Sequence, residues 1–321
     1  LTVRQNFGNL KYGVLEDYLI KVLLADKLSQ RALELLGEIP EFDIDTKIDL
    51  EPERLKTEIK NYEAVVIRGE THLGEDILRE ADNLKIIVRA GIDLDNVDVE
   101  FARSRNIEVK NTPFAASITA AEYTLAQMLG ICRFIGPAYK SLKEHKWEKD
   151  RFKNGTELFG KTAGVIGFGR IGKEVAKREV AVGMNVVYYD VTDVETDIGA
   201  RRVSLDELLE VSDFISIHVP LTETTRHLVS SAEFDKMKKD VVLINLTREG
   251  VVDETALKQA LKDKKIRAVA LDVQESELRD KLELIDNENV FPTPYLGVST
   301  REGEERAGVD VFSVLKEFFN V

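Results

Sequence analysis

The stretch Gly164–Gly172 (GVIGFGRIG) constrains this chain most, because it sets a G-x-G-x-x-G between an apolar strand and a helical stretch. In that setting Gly167 permits a tight turn, Gly169 lets backbone approach a pyrophosphate, and Gly172 lets the helix close on the strand. The helix opens at Arg170 and Ile171, whose N–H groups then meet phosphate charge. Asp190 ends the following strand (NVVYYD), where an acid is expected to bond an adenosine ribose 2′-OH. A carboxylate repels a 2′-phosphate, so the pattern predicts NAD rather than NADP.

The surrounding pattern agrees with such a site. From Ile20 the chain alternates short apolar runs with amphipathic stretches. Strands are expected at Ile20–Asp26, Phe42–Lys47, Ala64–Arg68, Leu84–Ala90 and Ile107–Asn111, then at Ala163–Gly167, Asn185–Asp190, Asp213–His218, Val241–Leu246 and Arg267–Asp272. Strands that are apolar almost throughout belong in parallel sheets covered on both faces, so the fold class is α/β with two doubly wound parallel-sheet domains. A long helical stretch is expected from about Ser117 to His145, and a capping box at Ser204 and Glu207 opens a later helix. The last helix, Arg301–Phe319, has no strand left to follow and is expected to pack back on the first domain. Residues 1–19 match neither pattern and read as an N-terminal extension.

Composition narrows the partners. The 321 residues carry a formal net charge of -13, which phosphate backbones repel, so a nucleic-acid partner is not expected. The one cysteine, Cys132, and four dispersed histidines offer no metal site. No apolar run approaches the ~20 residues of a membrane span, and a cytoplasmic protein without a membrane partner is expected.

Beyond the glycine loop the sequence resembles the D-isomer-specific 2-hydroxyacid dehydrogenases, most closely the short D-3-phosphoglycerate dehydrogenases. The likeness runs through Arg89-Ala90-Gly91, Asp95-Asn96-Val97-Asp98, Asn111-Thr112-Pro113, His218-Val219-Pro220, Asn245-Leu246-Thr247-Arg248, Leu271-Asp272-Val273 and Thr293-Pro294 through Gly297. It implies a flavodoxin-like substrate domain of residues 20–115 and 299–321, an inserted Rossmann NAD domain of 116–298, and an active site in the cleft between them. It also implies a homodimer through the NAD domain. Ile92, His218, Val219, Pro220, Leu246, Thr247, Asp272 and Gly297 join the glycine loop as cofactor-binding positions, with Asp272 on the nicotinamide carboxamide. Arg68, Gly91 and Asp93 fall at substrate positions.

The implied chemistry is hydride transfer between NAD(H) and a small 2-hydroxy or 2-keto acid, 3-phosphoglycerate leading. Arg248 matches the catalytic arginine, whose planar fork suits a carboxylate. Glu277 matches, by spacing over Glu275, the acid that pairs with a catalytic histidine. Tyr295 stands where that histidine is expected. A phenol ordinarily titrates near ~10 against ~6.5 for imidazole, so Tyr295 serves as a proton donor in keto-acid reduction better than as a base. A Glu277 carboxylate beside it would strengthen that bias. Asp93 and Glu249 replace glycines of the family pattern. The alternative reading is a catalytically impaired NAD(H)-binding member with a sensing or assembly role.

Overall fold

The computed structural model describes residues 19–274 and 277–321, so the expected extension lies almost wholly outside it, as does Glu275. The chain divides into two compact units, one running to Thr112 and resuming at Ala307–Val321, the other Pro113–Arg306.

In the first unit strands and helices alternate: β1 (Ile20–Leu24), α1 (Gln30–Gly37), β2 (Phe42–Thr46), α2 (Pro52–Ile59), β3 (Ala64–Ile67), α3 (Glu75–Leu78), β4 (Ile86–Arg89), α4 (Val99–Ser104) and β5 (Glu108–Asn111). All pairings are parallel, in the order β2-β1-β3-β4-β5. Successive strand residues face opposite sides. Leu23, Val65 and Ile87 therefore build one core, while Val22, Leu24, Val66 and Val88 build the other together with Val311 and Leu315 of the C-terminal helix. Ser29 caps α1 by accepting the Ala32 N–H at 3.3 Å, and Asp98 caps α4 through the Phe101 N–H at 2.9 Å.

The second unit runs α5 (Ser117–Cys132), α6 (Ile135–Lys143), α7 (Lys149–Phe152), β6 (Thr162–Ile166), α8 (Arg170–Ala181), β7 (Asn185–Tyr189), β8 (Ala200–Arg202), α9 (Leu205–Val211), β9 (Phe214–Ile217), α10 (Ser231–Lys236), β10 (Val241–Asn245), α11 (Glu254–Lys262), β11 (Ile266–Asp272), α12 (Leu282–Ile285) and β12 (Val290–Thr293). Its seven strands are parallel in the order β12-β11-β10-β9-β6-β7-β8. The helix α13 (Arg301–Phe319) carries the chain back from this unit into the first.

Three expectations need correction. The long helical stretch is two helices, because Phe134 takes a left-handed φ of 54°. Pro137 two residues into α6 has no N–H with which to continue the α5 ladder. At Ser204 only half a capping box forms: the Glu207 N–H bonds Ser204 Oγ at 3.1 Å, but the Glu207 carboxylate turns to Arg201 at 2.8 Å. The closed box lies at Ser230 and Glu233, ahead of α10. The edge strands β8 and β12 were not expected.

Candidate active site

Open parallel sheets bind ligands beyond the carboxyl ends of their strands, where the strand order reverses. In the second unit that point lies between β6 and β9, and there the glycine loop meets the chain leaving β9. Gly167 has φ 91°, and a Cβ on it would lie 2.7 Å from Val219 Cγ1 and 2.8 Å from the His218 carbonyl oxygen. A Cβ at Gly172 would sit 2.0 Å from the Gly167 carbonyl oxygen, so only glycine lets α8 come this close to the loop. At Gly169 nothing lies within 4 Å, which leaves its exposed backbone open to a pyrophosphate. Arg170 and Ile171 follow in the first turn of α8, with the Arg170 guanidinium 4.5 Å from the Phe114 ring centroid.

Asp190 follows β7. Its Oδ2 accepts the Phe168 N–H at 2.7 Å, and its Oδ1 accepts the Thr192 N–H at 2.9 Å and hydroxyl at 2.7 Å. Partial burial would raise its pKa, but these hydrogen bonds, with Arg202 nearby, hold it below the usual carboxylate range. The acid is therefore anionic and its orientation is set by the loop it serves. His218 is the reverse case. Its Nε2 is buried without a hydrogen-bond partner, and burial pushes its pKa down to about 3, so the imidazole is neutral. The orphaned nitrogen beside the glycine loop, the open Gly169 and the anionic Asp190 together fit a dinucleotide. Pro220 is held by the Thr225 hydroxyl at 2.6 Å from its carbonyl oxygen.

At the end of β10, buried Asn245 accepts the Thr247 N–H at 3.3 Å and the Thr247 hydroxyl at 2.6 Å, which shapes the turn through Leu246 into Arg248. The Arg248 guanidinium lies 5.6 Å from the centroid of the Tyr295 ring. Tyr295 has a left-handed φ of 51° in the loop after β12. That loop hangs on Asp272: Oδ1 accepts the Thr293 hydroxyl at 2.8 Å and the Leu296 N–H at 2.9 Å, and Oδ2 accepts the Gly297 N–H at 2.7 Å. Asp272, expected on the nicotinamide, thus holds the tyrosine loop.

Glu277 and Tyr295, expected as a pair, are not joined by a hydrogen bond. The Glu277 carboxylate accepts the Gln274 N–H at 3.4 Å and lies 3.7 Å from Lys281 Nζ. Lys281, which carries no signal in the sequence, also donates to Glu254 at the start of α11.

In the first unit the strand order reverses between β1 and β3, and Arg68 follows β3 there. Two residues not singled out as site positions fix its loop. Asp26, buried after β1, accepts the Arg68 N–H and the Thr71 N–H and hydroxyl. Asn96 donates to the Arg68 and Thr71 carbonyl oxygens at 2.7 and 2.6 Å. Gly91 has φ 154°, and a Cβ there would lie 1.7 Å from Arg89 Nη1. Ile92 and Asp93 continue that loop, with the Ile92 carbonyl oxygen accepting from the Asn111 amide.

A glycine loop and an anchored acid at the switch point of one parallel sheet, with an arginine beyond a neighbouring strand, define a dinucleotide-binding α/β protein. Residues 125–297 match the family model for the NAD binding domain of the D-isomer specific 2-hydroxyacid dehydrogenases. The chain is 44% identical over 303 residues to a hydroxypyruvate reductase of Thermotoga maritima, covering 92% of this chain and 98% of that protein. It is 42% identical over 303 residues to a D-3-phosphoglycerate dehydrogenase of Methanocaldococcus jannaschii, covering 93% of this chain but only 57% of that relative's length. The apo-structure of D-lactate dehydrogenase from Escherichia coli superposes with a TM-score of 0.79 at 28% identity, over 93% of this chain and 98% of that one. The chain belongs to the D-isomer specific 2-hydroxyacid dehydrogenases, and its cofactor is NAD. Among the described residues no helix is long and apolar enough to cross a membrane, and no cluster of side chains could hold a metal.

Proposed function

We propose that the protein interconverts a small 2-keto acid and its D-2-hydroxy acid, with 3-phosphoglycerate and its keto acid as the leading pair. The observation that carries this reading is Arg248, beyond the end of β10, beside the ring of Tyr295. Bound NADH supplies the hydride that the carbonyl carbon receives. The Arg248 guanidinium holds the substrate carboxylate and draws electron density toward the carbonyl oxygen. As that oxygen gains charge, the Tyr295 hydroxyl donates its proton to it, and solvent restores the phenol. Asp272 fixes the loop from which Tyr295 reaches the reacting oxygen. Asp190 selects NADH over NADPH.

A phenol donates a proton more readily than it takes one at neutral pH, so the donor role of Tyr295 is read in the reductive direction. Two relatives, a D-3-phosphoglycerate dehydrogenase and a hydroxypyruvate reductase, bracket the substrate as phosphorylated or not. The test is NADH oxidation with phosphohydroxypyruvate, hydroxypyruvate and pyruvate by the wild type, Tyr295→Phe and Tyr295→His. Turnover that falls about 10²–10⁴-fold in Tyr295→Phe supports the donor role. A wild type that binds NADH yet oxidises it with none of these acids supports the impaired, cofactor-sensing reading, for which the missing histidine is the motive.

The reading extends to a homodimer through the second unit. Ile135, Tyr139 and Leu142 of α6 and the nearby Trp147 leave large apolar surfaces exposed, Trp147 at 81%. Light scattering is expected to give twice the chain mass, and a monomer at micromolar concentration would overturn this part.

A further inference from the structure

Lys281 lies in the turn ahead of α12 and is buried, with its side chain 6% exposed. Its ammonium donates to Glu254 at the first position of α11 and stands 3.7 Å from the Glu277 carboxylate. Asn245, Thr247 and Glu249, which flank Arg248 in sequence, line the same pocket as these three. Among the described residues, Lys281 is the one cation lining that pocket, which it shares with the carboxylates of Glu249, Glu254, Asp272 and Glu277.

An acid paired with a catalytic histidine has two dealings with it. The imidazole carries the proton, and once protonated it also balances the acid's charge. Tyrosine can carry a proton but never becomes a cation. With Tyr295 in the histidine's place, a largely buried Glu277 would be an uncompensated charge, which proteins avoid by pairing or by protonation. The structure offers the pairing: among the described residues, Lys281 is the cation within 4 Å of Glu277.

We propose that the two duties of the missing histidine are divided in this chain, Tyr295 donating the proton and Lys281 acting as a positioning residue that balances the charge of Glu277 and ties it to the start of α11. This rests on reading Glu277 as an acid of the catalytic site. It makes the protein a working variant of the family's proton machinery, in which a second change accompanies the first.

The experiment is a double-mutant cycle over Lys281→Met and Tyr295→His, read as the rate of NADH oxidation with the best keto acid. In the wild-type background Lys281→Met is expected to lower kcat at least tenfold with KM changed less than threefold. In the Tyr295→His background it is expected to lower kcat less than threefold or to raise it, because an imidazolium that pairs with Glu277, as the family pattern implies, would balance that charge. Lys281→Arg, which keeps the charge, retains the wild-type rate within a few-fold. A Lys281→Met/Glu254→Gln variant removes one acid with the ammonium, and it carries the same test if Lys281→Met does not fold.

Infrared difference spectra at neutral pH provide a readout independent of turnover. Lys281→Met is expected to gain a protonated-carboxyl band that disappears when Glu277→Gln is added. Equal loss of rate in both backgrounds with no such band would make Lys281 merely structural and overturn the proposal. An inert wild type whose Lys281→Met variant still gains the band overturns the catalytic reading of the site but upholds the ion pair.

Discussion

The Asp190 carboxylate accepts the Phe168 N–H at 2.7 Å, so the acid after β7 is tied to the middle of the glycine loop. The bond couples the two halves of the adenosine site: whatever frees the acid also loosens the loop that meets the pyrophosphate. On the proposed reading, the same anionic carboxylate would repel the 2′-phosphate of NADP.

Asp190→Asn keeps an acceptor of nearly the same shape and removes the charge. NADH binding is expected to weaken roughly tenfold, the cost of one charge-assisted hydrogen bond, while NADPH binding improves. Calorimetric dissociation constants for both cofactors check this. An unchanged NADH to NADPH ratio would remove Asp190 from the selectivity argument.

Gly172 and Gly169 separate packing from binding within one motif. A Cβ at position 172 falls 2.0 Å from the Gly167 carbonyl oxygen, whereas nothing lies within 4 Å of one at position 169. Gly172→Ala is expected to cost about 1–3 kcal/mol of stability as loop and helix are pushed apart. Gly169→Ala leaves the melting temperature nearly unchanged yet weakens NADH binding at least tenfold, because the methyl occupies space the pyrophosphate needs. Thermal melts beside NADH titrations of both variants tell the two apart. Equal destabilisation would contradict the geometry.

The same contrast explains what could be read in advance. Strands such as Val241–Asn245 are buried at every position, and their continuous apolar character is visible without a structure. The edge strands are not: Ala200–Arg202 is three residues long with two exposed arginines, and Val290–Thr293 contains Pro292. The three glycines were legible because turn, approach and packing impose fixed spacings along one short segment. Asp26 and Asn96 were not, since their partners in the Arg68–Thr71 loop lie 25 to 45 residues away in sequence. Lys281 escaped for the same reason: one lysine in a charged stretch looks solvated until α11 brings Glu254 against it. Chemistry written in local spacing survives in a single sequence, and chemistry assembled by tertiary contact does not.

Arg248→Lys tests the planar fork against a point charge. Lysine keeps the charge, but it loses the second parallel hydrogen bond to a carboxylate and the stacking of guanidinium on the Tyr295 ring. The expected loss in kcat/KM is roughly 10- to 100-fold, the equivalent of one charge-assisted hydrogen bond. NADH affinity should stay within twofold. A comparable loss of NADH affinity would place Arg248 on the cofactor instead.

Glu179 is the least comfortable residue in the second unit. It lies fully buried in α8, on the same face as Gly172, Val175 and Ala176, and neither carboxylate oxygen has a hydrogen-bond partner. Burial pushes its pKa up from 4.5 to about 8, so the folded chain keeps it protonated at neutral pH while the unfolded chain ionises it. A carboxyl raised in the folded state contributes stability that is complete below the unfolded value and is lost as pH rises through the folded one. The loss therefore runs across the interval from 4.5 to about 8, and by pH 7 it is on the order of 3 kcal/mol. Glu179→Leu removes the titrating group at similar volume. Its gain in melting temperature is expected to grow with pH, reaching roughly 5–10 °C at pH 8 beyond that at pH 5. Glu179→Gln, still polar but unable to ionise, should show the same growth from a lower baseline. A gain that is equal at both pH values would mean that the buried carboxyl does not titrate in this range.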